Sequence, residues 1–324
     1  MSGTIYKGPI NPNPKDDEAS IIIYSYIPSL TLGIIGVLTF TIIVSFQLFY
    51  IFFNKNKNKN KNKTKWFHIL LLIGSFMEIG GYSARLSSHK RPFVISSFVA
   101  QYFLIVVAPV LFSAAIYLSL SLAIRGYKGS EKLLIISPKK VLIFFVTADV
   151  ITTIIQVVGA ALIGSSESAK VRGNSSKVTP QQANNISLAG LSIQCFSFTI
   201  FLCILIFSIY KSYYLKNYLI QIQIKNIKQL RLFLNIILIT SLLILIRTTF
   251  RLSEIGQGFF GFASTHEFLF GILEYLPVIL TLFIWSLLPP SKFLKNLNDD
   301  RERLDSNLEG NEALQTTQID QNRV

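Results

Sequence analysis

Seven long apolar runs constrain the fold of this chain more than any other feature of its 324 residues. A helix needs about 20 mostly apolar residues to cross about 30 Å of hydrocarbon, and each run has about that length or more. Charged residues make up only 15% of the chain, against about 25% in an ordinary soluble domain. The sequence therefore predicts an all-α membrane protein, folded as a seven-transmembrane helix bundle. The predicted spans are residues 27–53, 66–86, 93–124, 141–163, 186–210, 232–250 and 268–288.

Three regions follow from this pattern. Residues 1–26 are expected to form an extracellular N-terminal tail, residues 27–290 the transmembrane domain, and residues 291–324 a disordered cytoplasmic tail that is rich in Asn and Gln. The first apolar run has no basic region before it and is too long for the core of a signal peptide. It is therefore expected to stay in the mature protein.

The distribution of basic residues predicts the orientation in the membrane. With Arg85, Arg247 and Arg251 counted inside the spans, one set of alternate connecting segments carries 21 Lys and Arg residues and the other carries 7. The positive-inside rule puts the richer set in the cytoplasm, so the N-terminus is expected outside and the C-terminus in the cytoplasm. These basic flanks account for much of the net charge of +14, and no nucleic-acid partner is predicted.

Three Asn-x-Ser/Thr sequons give this orientation a test. Asn174 and Asn185 lie in or beside the fourth connecting segment, on the predicted outer side, and are predicted to be glycosylated. Asn185 is close to the membrane. Asn62 falls in a predicted cytoplasmic loop and is expected to carry no glycan.

Several classes of site lack the residues that they need. Residues 256–261 have the spelling of a dinucleotide loop, but they connect two spans and are predicted to form a turn. His68 lies on the predicted inner side, whereas His89 and His266 lie on the outer side, so a zinc centre with three His ligands cannot form. There is no G-x-x-x-x-G-K-[ST] loop for ATP. We therefore predict no metal, no cofactor and no enzymatic activity.

Polar and charged residues inside or at the ends of the spans are the candidate site. An ionisable side chain at mid-membrane costs about 2.5 to 3.5 kcal/mol, so these side chains are expected to face a cavity or one another. Two sets recur at i, i+4 and i+7, which places each set on one helix face. The candidate cavity residues are Glu78, Tyr82, Arg85, Gln101, Asp149, Gln156, Gln194, Arg247, Arg251, Glu254, His266, Glu267 and Glu274.

The predicted depths of these residues indicate a polar vestibule in the outer half of the bundle, narrowing towards Glu78, Asp149 and Glu274. Three arginines face five acids among the candidates, which leaves two acids in excess. A carboxylate without a partner takes up a proton or binds a cation, which favours an amine-bearing amphiphile or a proton-coupled step. Glu274 and Asp149 are the acids expected to do this. The alternative is that the charges form salt bridges that only fix helix packing.

Several motifs resemble one known family. They are Tyr24-Ser25-Tyr26-Ile27-Pro28-Ser29; Glu78-Ile79-Gly80-Gly81-Tyr82-Ser83-Ala84-Arg85; Gln101 with Ala108-Pro109 and Ala114-Ala115-Ile116-Tyr117; Asp149 with Gln156 and Gly159; Gly190-Leu191 with Gln194; and Phe250-Arg251-Leu252-Ser253-Glu254 with Gly258 and His266-Glu267. Over about residues 24–290 the chain resembles the fungal RTA-like lipid-translocating exporters, which are named for resistance to aminocholesterol.

The resemblance implies a seven-span fungal plasma-membrane protein that moves toxic amphiphiles, with sphingoid long-chain bases, sterol-like amines and porphyrins among the family's substrates. We therefore expect a translocator or efflux facilitator that confers resistance, most of all to sphingoid long-chain bases. Two alternatives stay open. One is a lipid or stress sensor that regulates other transporters, and the other is a porphyrin transporter whose arginines bind propionates. The expected partners are membrane lipids and the amphiphile itself.

Overall fold

Seven long helices form the fold. The structure, a computed structural model, describes residues 9–15, 17–19, 22, 26–53, 61–126, 133–134, 137–171, 179–214, 227–258 and 261–294. Seven helices in this part of the chain are long and apolar enough to cross a membrane, which confirms the predicted fold class. The first six are α1 (Leu30–Phe53), α2 (Lys61–Lys90), α3 (Ile95–Gly126), α4 (Pro138–Val171), α5 (Pro180–Tyr214) and α6 (Ile227–Gln257), and a short α7 (Phe262–Thr265) follows.

The seventh span (Glu267–Leu294) is not a regular α-helix. It consists of α8 (Glu267–Leu269), a π-helical turn (Phe270–Tyr275) and α9 (Leu276–Leu287). The N–H of Leu276 donates to the carbonyl oxygen of Gly271, and Pro277 follows with no N–H to donate. A π turn holds one residue more than an α turn. Here it brings both Phe270 and Glu274 into the interior.

Helices α2, α4, α5 and α6 extend beyond the predicted spans at both ends, whereas α1 and α3 begin three and two residues after the predicted starts. Only the part of a helix inside hydrocarbon must be apolar, so hydropathy detects that part and misses the polar turns at each end. The start of α5 shows what the pattern misses. Thr179 and Gln182 form a reciprocal capping box, in which the Gln182 N–H donates to the Thr179 hydroxyl at 3.2 Å and the Thr179 N–H donates to the Gln182 side chain at 3.0 Å. Pro180 occupies the first helical position, where its fixed φ is favourable.

Part of the region predicted as an N-terminal tail packs on the bundle. The N–H of Ala19 donates to the carbonyl oxygen of Phe93 at 2.8 Å, and the N–H of Ile95 donates to that of Asp17 at 2.9 Å. The Asp17 carboxylate also accepts a hydrogen bond of 2.6 Å from Ser96 at the start of α3. Residues 17–19 therefore hold the connection between α2 and α3.

The distribution of side chains differs from that in a soluble protein, because the outside of the bundle is apolar and charged residues lie in its otherwise apolar interior. Large apolar side chains such as Phe52, Phe144 and Phe196 are 63–72% exposed on the outside of the bundle, where acyl chains would cover them. The interior contains charged residues, including Glu274 and Arg85, each 1% exposed. Together with the seven spans, this distribution makes the chain a multi-pass membrane protein.

Helices α4 and α5 approach each other more closely than side chains would ordinarily allow. A Cβ atom added at Gly190 would lie 2.9 Å from the carbonyl oxygen of Thr152, and one at Gly159 would lie 2.8 Å from the backbone nitrogen of Ser187. Small residues at such positions let membrane helices pack backbone against backbone. These two helices therefore form one tightly packed pair.

Candidate functional site

A partly open cavity of about 90 Å³ lies at the end of the bundle that is predicted to face outside. It is formed by the last turns of α2, α4 and α6 and the first turns of α3, α5 and the seventh span. This volume has space for several water molecules. One part of its wall is polar, with Arg85, Arg251 and Glu254, and the rest is largely apolar, with Phe98 and Ile163. The cavity is therefore amphipathic.

At one side of the cavity, hydrogen bonds of Arg85 connect three separate segments of the chain. Its Nη2 donates to Glu267 at 2.6 Å and to the Tyr26 hydroxyl at 3.0 Å. Glu267 also accepts hydrogen bonds from the backbone N–H of Ser29, at 2.8 and 3.1 Å to its two oxygens. Burial raises the pKa of Tyr26 above its usual value, although the neighbouring Arg85 acts in the opposite direction. This hydroxyl therefore stays neutral at physiological pH.

A second set of ion pairs lies deeper in the bundle. Arg247 Nη2 donates to Glu274 at 2.7 Å and to the carbonyl oxygen of Ile105 at 2.8 Å. The other oxygen of Glu274 lies 3.0 Å from Nε of Arg251, whose Nη1 donates to Glu254 at 2.9 Å. Glu274 is thus shared by two arginines. Arg251 and Glu254 connect this buried network with the wall of the cavity.

Phe270 separates the two sets of ion pairs. Its ring centroid lies 4.3 Å from Cζ of Arg85 and 5.7 Å from Cζ of Arg251. At these distances both guanidinium groups are attracted to the electron-rich face of the ring. The π turn of the seventh span places this ring between α2 and α6, so the local irregularity of the helix shapes the cavity directly.

Glu78 lies next to this network without joining it. Its side chain is buried, with 2% of the residue exposed. Within the described part of the chain no hydrogen bond or ion pair reaches its carboxyl group, although the charges of Arg247, Arg251 and Glu274 act on it. Of the acids predicted from the sequence, the two that lack a cationic partner among the described residues are Glu78 and Asp149, whereas Glu274 has two.

Asp149 belongs to a different place in the bundle, where α3, α4 and α5 meet. Its Oδ2 accepts a hydrogen bond of 2.9 Å from the Tyr117 hydroxyl, and its Oδ1 is buried with no hydrogen-bond partner. Gln156, two turns further along α4, donates to Gln194 of α5 at 2.7 Å. The structure thus separates Asp149, Gln156 and Gln194 from the ion-pair network, and none of the three lines the cavity.

The remaining predicted residues divide between the cavity and its surroundings. Gln101 lines the cavity. Tyr82 is buried among aromatic rings, 5.5 Å from the Phe40 centroid and 5.7 Å from that of Tyr275. His266 lies between α7 and α8, where its Nδ1 is 2.9 Å from the carbonyl oxygen of Phe262. In the described ranges no cluster of three or more His, Cys, Asp or Glu side chains could hold a metal ion.

Of the two predicted glycosylation sites, one lies within the residues that the structure describes and the other does not. Asn185 is exposed on α5, one residue after Asn184, which lines the cavity. Asn174 lies outside the described residues, as does most of the predicted cytoplasmic tail. Both sequons stay predictions, and so does the orientation on which they depend.

Sequence reasoning missed several residues that line the cavity. Tyr26, Tyr102, Asn184 and Phe270 all contribute to its wall. A search for ionisable groups in apolar runs does not select aromatic or amide side chains at helix ends. Tyr26 lies in the motif of residues 24–29, which carries part of the family resemblance. That motif was the signal in the sequence that could have selected Tyr26.

Several known proteins are similar to this chain over its membrane-spanning region. A family model described as RTA1 like protein matches residues 71–297. Protein RTM1 of Saccharomyces cerevisiae is 29% identical over 218 residues, which cover 67% of this chain and 65% of the relative. Sphingoid long-chain base transporter RSB1 of the same species is 29% identical over 251 residues, covering 67% and 64%. Protoporphyrin uptake protein 1, also from that yeast, is 28% identical over 214 residues, covering 66% and 65%.

The chain spans slightly less than two thirds of the length of these curated relatives. No solved structure matches it. The family model covers well over half of the chain, including α3 to α6 and the seventh span. The predicted family is therefore confirmed: this protein belongs to the RTA1-like family.

Proposed function

We propose that this protein moves lipid-like amphiphiles across the membrane and that the cavity receives their polar headgroups. The observation that carries this proposal is the amphipathic wall, with Arg251 and Glu254 beside Phe98 and Ile163, inside a bundle covered by apolar side chains. An amphiphile has the same two parts. Two relatives are named as a transporter and an uptake protein, which supports transport rather than catalysis. We expect the protein to act in the plasma membrane.

The preferred substrate is a sphingoid long-chain base, the class named for one relative. Such a molecule carries an ammonium group and hydroxyl groups at one end of a long alkyl chain. Glu254 suits the ammonium group because its side chain is 19% exposed at the cavity. The amide side chains of Gln101 and Asn184, on other parts of the wall, suit the hydroxyl groups. The alkyl chain would leave between helices into the bilayer.

A flux assay with purified protein in liposomes tests this assignment. The labelled substrate is a sphingoid long-chain base, and the variant is Glu254→Gln. Loss of a charge-assisted hydrogen bond should reduce flux about tenfold, since 1.4 kcal/mol corresponds to a factor of ten. Ser253→Ala is the matched control, because Ser253 is an exposed neighbour on the same helix and does not line the cavity. Equal flux in both variants would remove Glu254 from the binding site.

Porphyrin transport is the second candidate. Arg85 and Arg251 both line the cavity, and two guanidinium groups can bind the two propionates of a porphyrin. One relative is named for protoporphyrin uptake. In the same liposomes, Arg251→Lys should reduce porphyrin flux more strongly than Glu254→Gln does. The opposite order would favour the sphingoid base.

A sensor function is separable from transport. The sensor alternative uses the predicted cytoplasmic tail, most of which lies outside the described residues. Deletion of residues 301–324 should leave flux in liposomes unchanged if the protein is a transporter. If it is a sensor, the deletion should abolish resistance to added sphingoid base in cells, and the purified protein should show no flux.

A further inference from the structure

Glu78 lies beside the ion-pair network and has no part in the proposed binding site. It lies on α2 two turns before Arg85, and only 2% of the residue is exposed. No hydrogen bond or ion pair connects its carboxyl group with any residue that the structure describes. An isolated carboxylate in such a place is strongly unfavourable, because no hydrogen bond or ion pair with the described residues compensates for its loss of hydration.

The charges around Glu78 are already balanced without it. Arg85 pairs with Glu267, Arg247 pairs with Glu274, and Arg251 pairs with Glu254 and Glu274. The three guanidinium groups therefore match the three carboxylates that they contact. An ionised Glu78 would add a fourth carboxylate with no further cation beside it among the described residues, whereas a Glu78 that holds a proton leaves the balance intact.

The groups that face Glu78 come from three helices. Arg247 and Arg251 on α6 and Glu274 on the seventh span act on it through their charges. Tyr82, one turn along α2, interacts with it as well. Arg247 has a donor available, since its Nε is buried and makes no hydrogen bond. Of the two arginines on α6 whose charges act on Glu78, Arg251 already has its Nε 3.0 Å from Glu274, so the Nε of Arg247 is the donor that an ionised Glu78 would take.

We propose that Glu78 is the binding site of a proton that is exchanged during transport. When Glu78 loses the proton, Arg247 pairs with it and weakens its own contact with Glu274. Arg251 then becomes the main partner of Glu274 and is drawn away from Glu254 on the wall of the cavity. The proton at Glu78 thereby controls how strongly Glu254 attracts a cationic headgroup. This inference rests on the proposed function, because the exchange is coupled to movement of the amphiphile.

Infrared spectroscopy tests the proton site without any transport. The purified protein in lipid nanodiscs should show the carbonyl stretch of a protonated carboxylic acid at neutral pH, a band that a carboxylate lacks. Glu78→Gln should remove a component of this band, and Glu78→Asp should shift it. Glu267→Gln is the matched control, because Glu267 is ion-paired with Arg85 as a carboxylate and should contribute nothing to this band. A spectrum of Glu78→Gln identical with that of the wild-type protein would overturn the proposal.

A second measurement tests coupling. The probe is N,N,N-trimethylsphingosine, which carries a permanent charge and no titratable amine, and the liposomes contain a pH-sensitive dye. With wild-type protein, entry of the probe should raise the lumenal pH, because deprotonated Glu78 favours binding of the cation and a proton leaves the lumen in exchange for the cation that enters. With Glu78→Gln, the pH change per probe molecule should fall at least tenfold, and Glu78→Asp should restore it. An equal pH change per probe molecule in wild-type protein and Glu78→Gln would overturn the coupling.

The two measurements separate the two proposals. If the wild-type protein moves no probe relative to protein-free liposomes, the transport function is wrong. The infrared band then still decides whether Glu78 holds a proton. If the wild-type protein moves the probe without any pH change, the proton is not exchanged, and the inference about Glu78 is wrong while transport stands.

Discussion

Arg85 and Glu267 lie 182 positions apart in the sequence, and their side chains meet at 2.6 Å. This contact joins the end of α2 to the start of the seventh span. Through the backbone of Ser29 it also fixes the segment that leads into α1. Three helices of the bundle are therefore held together at the predicted outer end by a single carboxylate.

The first prediction concerns the strength of this contact. In a double-mutant cycle with Arg85→Ala and Glu267→Ala, we expect a coupling energy of about 1 to 3 kcal/mol, since the arginine is buried and the carboxylate is only partly exposed. The measurement is the free energy of unfolding in detergent. Additive effects of the two substitutions on the free energy of unfolding would show that the pair does not stabilise the contact between the helices.

The second prediction concerns Glu274. Glu274→Gln should lower the free energy of unfolding by about 3 to 5 kcal/mol, because it removes the shared partner of two buried arginines. Glu254→Gln should cost less, since Arg251 keeps Glu274 in that variant. Thermal unfolding of the two purified variants compares them. An unfolding temperature that is lower for Glu254→Gln than for Glu274→Gln would contradict the proposed network.

The third prediction concerns the close approach of α4 and α5. Gly190→Val should destabilise the protein by about 1 to 3 kcal/mol, because its Cβ would press against the carbonyl oxygen of Thr152. Gly256→Ala is the matched control: its Cβ would meet only Leu188, at 3.8 Å. This control should unfold at or above the wild-type temperature, since Ala is the better helix former. Equal stability of the two variants would refute tight backbone packing.

The fourth prediction concerns orientation. With the N-terminus outside, treatment with an endoglycosidase should increase the electrophoretic mobility of the protein from fungal membranes, and Asn174→Gln should reduce that change. Asn62→Gln should not alter the change in electrophoretic mobility. Asn185 is the less favourable acceptor, because it lies within the helix α5. A mobility change that disappears only in Asn62→Gln would reverse the orientation.

The number and approximate position of the spanning helices followed from sequence, because a bilayer imposes one length and one polarity on every span. The helix ends did not follow, since they lie where hydropathy no longer constrains the chain. The capping box at Thr179 and Gln182 stands before the apolar run that marks the span, so hydropathy does not include it. Apart from Pro277, no feature of the sequence indicated the π turn at Phe270–Tyr275.

The candidate site was predicted in part. The cost of burying charge selected Arg85, Arg251 and Glu254, which do line the cavity, and Arg247 and Glu274, which lie behind it. Pairing could not be predicted, because it depends on which helix faces which. For that reason Glu274 was counted as an excess acid, whereas in the structure it contacts two arginines. Among the described residues, Glu78 has no ion pair.

The irregular turn in the seventh span has a consequence for the register of that helix. One extra residue in a turn rotates the part of the helix before it by about 100° relative to the part after it. Glu267, which precedes the turn, therefore faces a direction that a regular α-helix continued back from α9 would not give it. The ion pair between Glu267 and Arg85 depends on this offset.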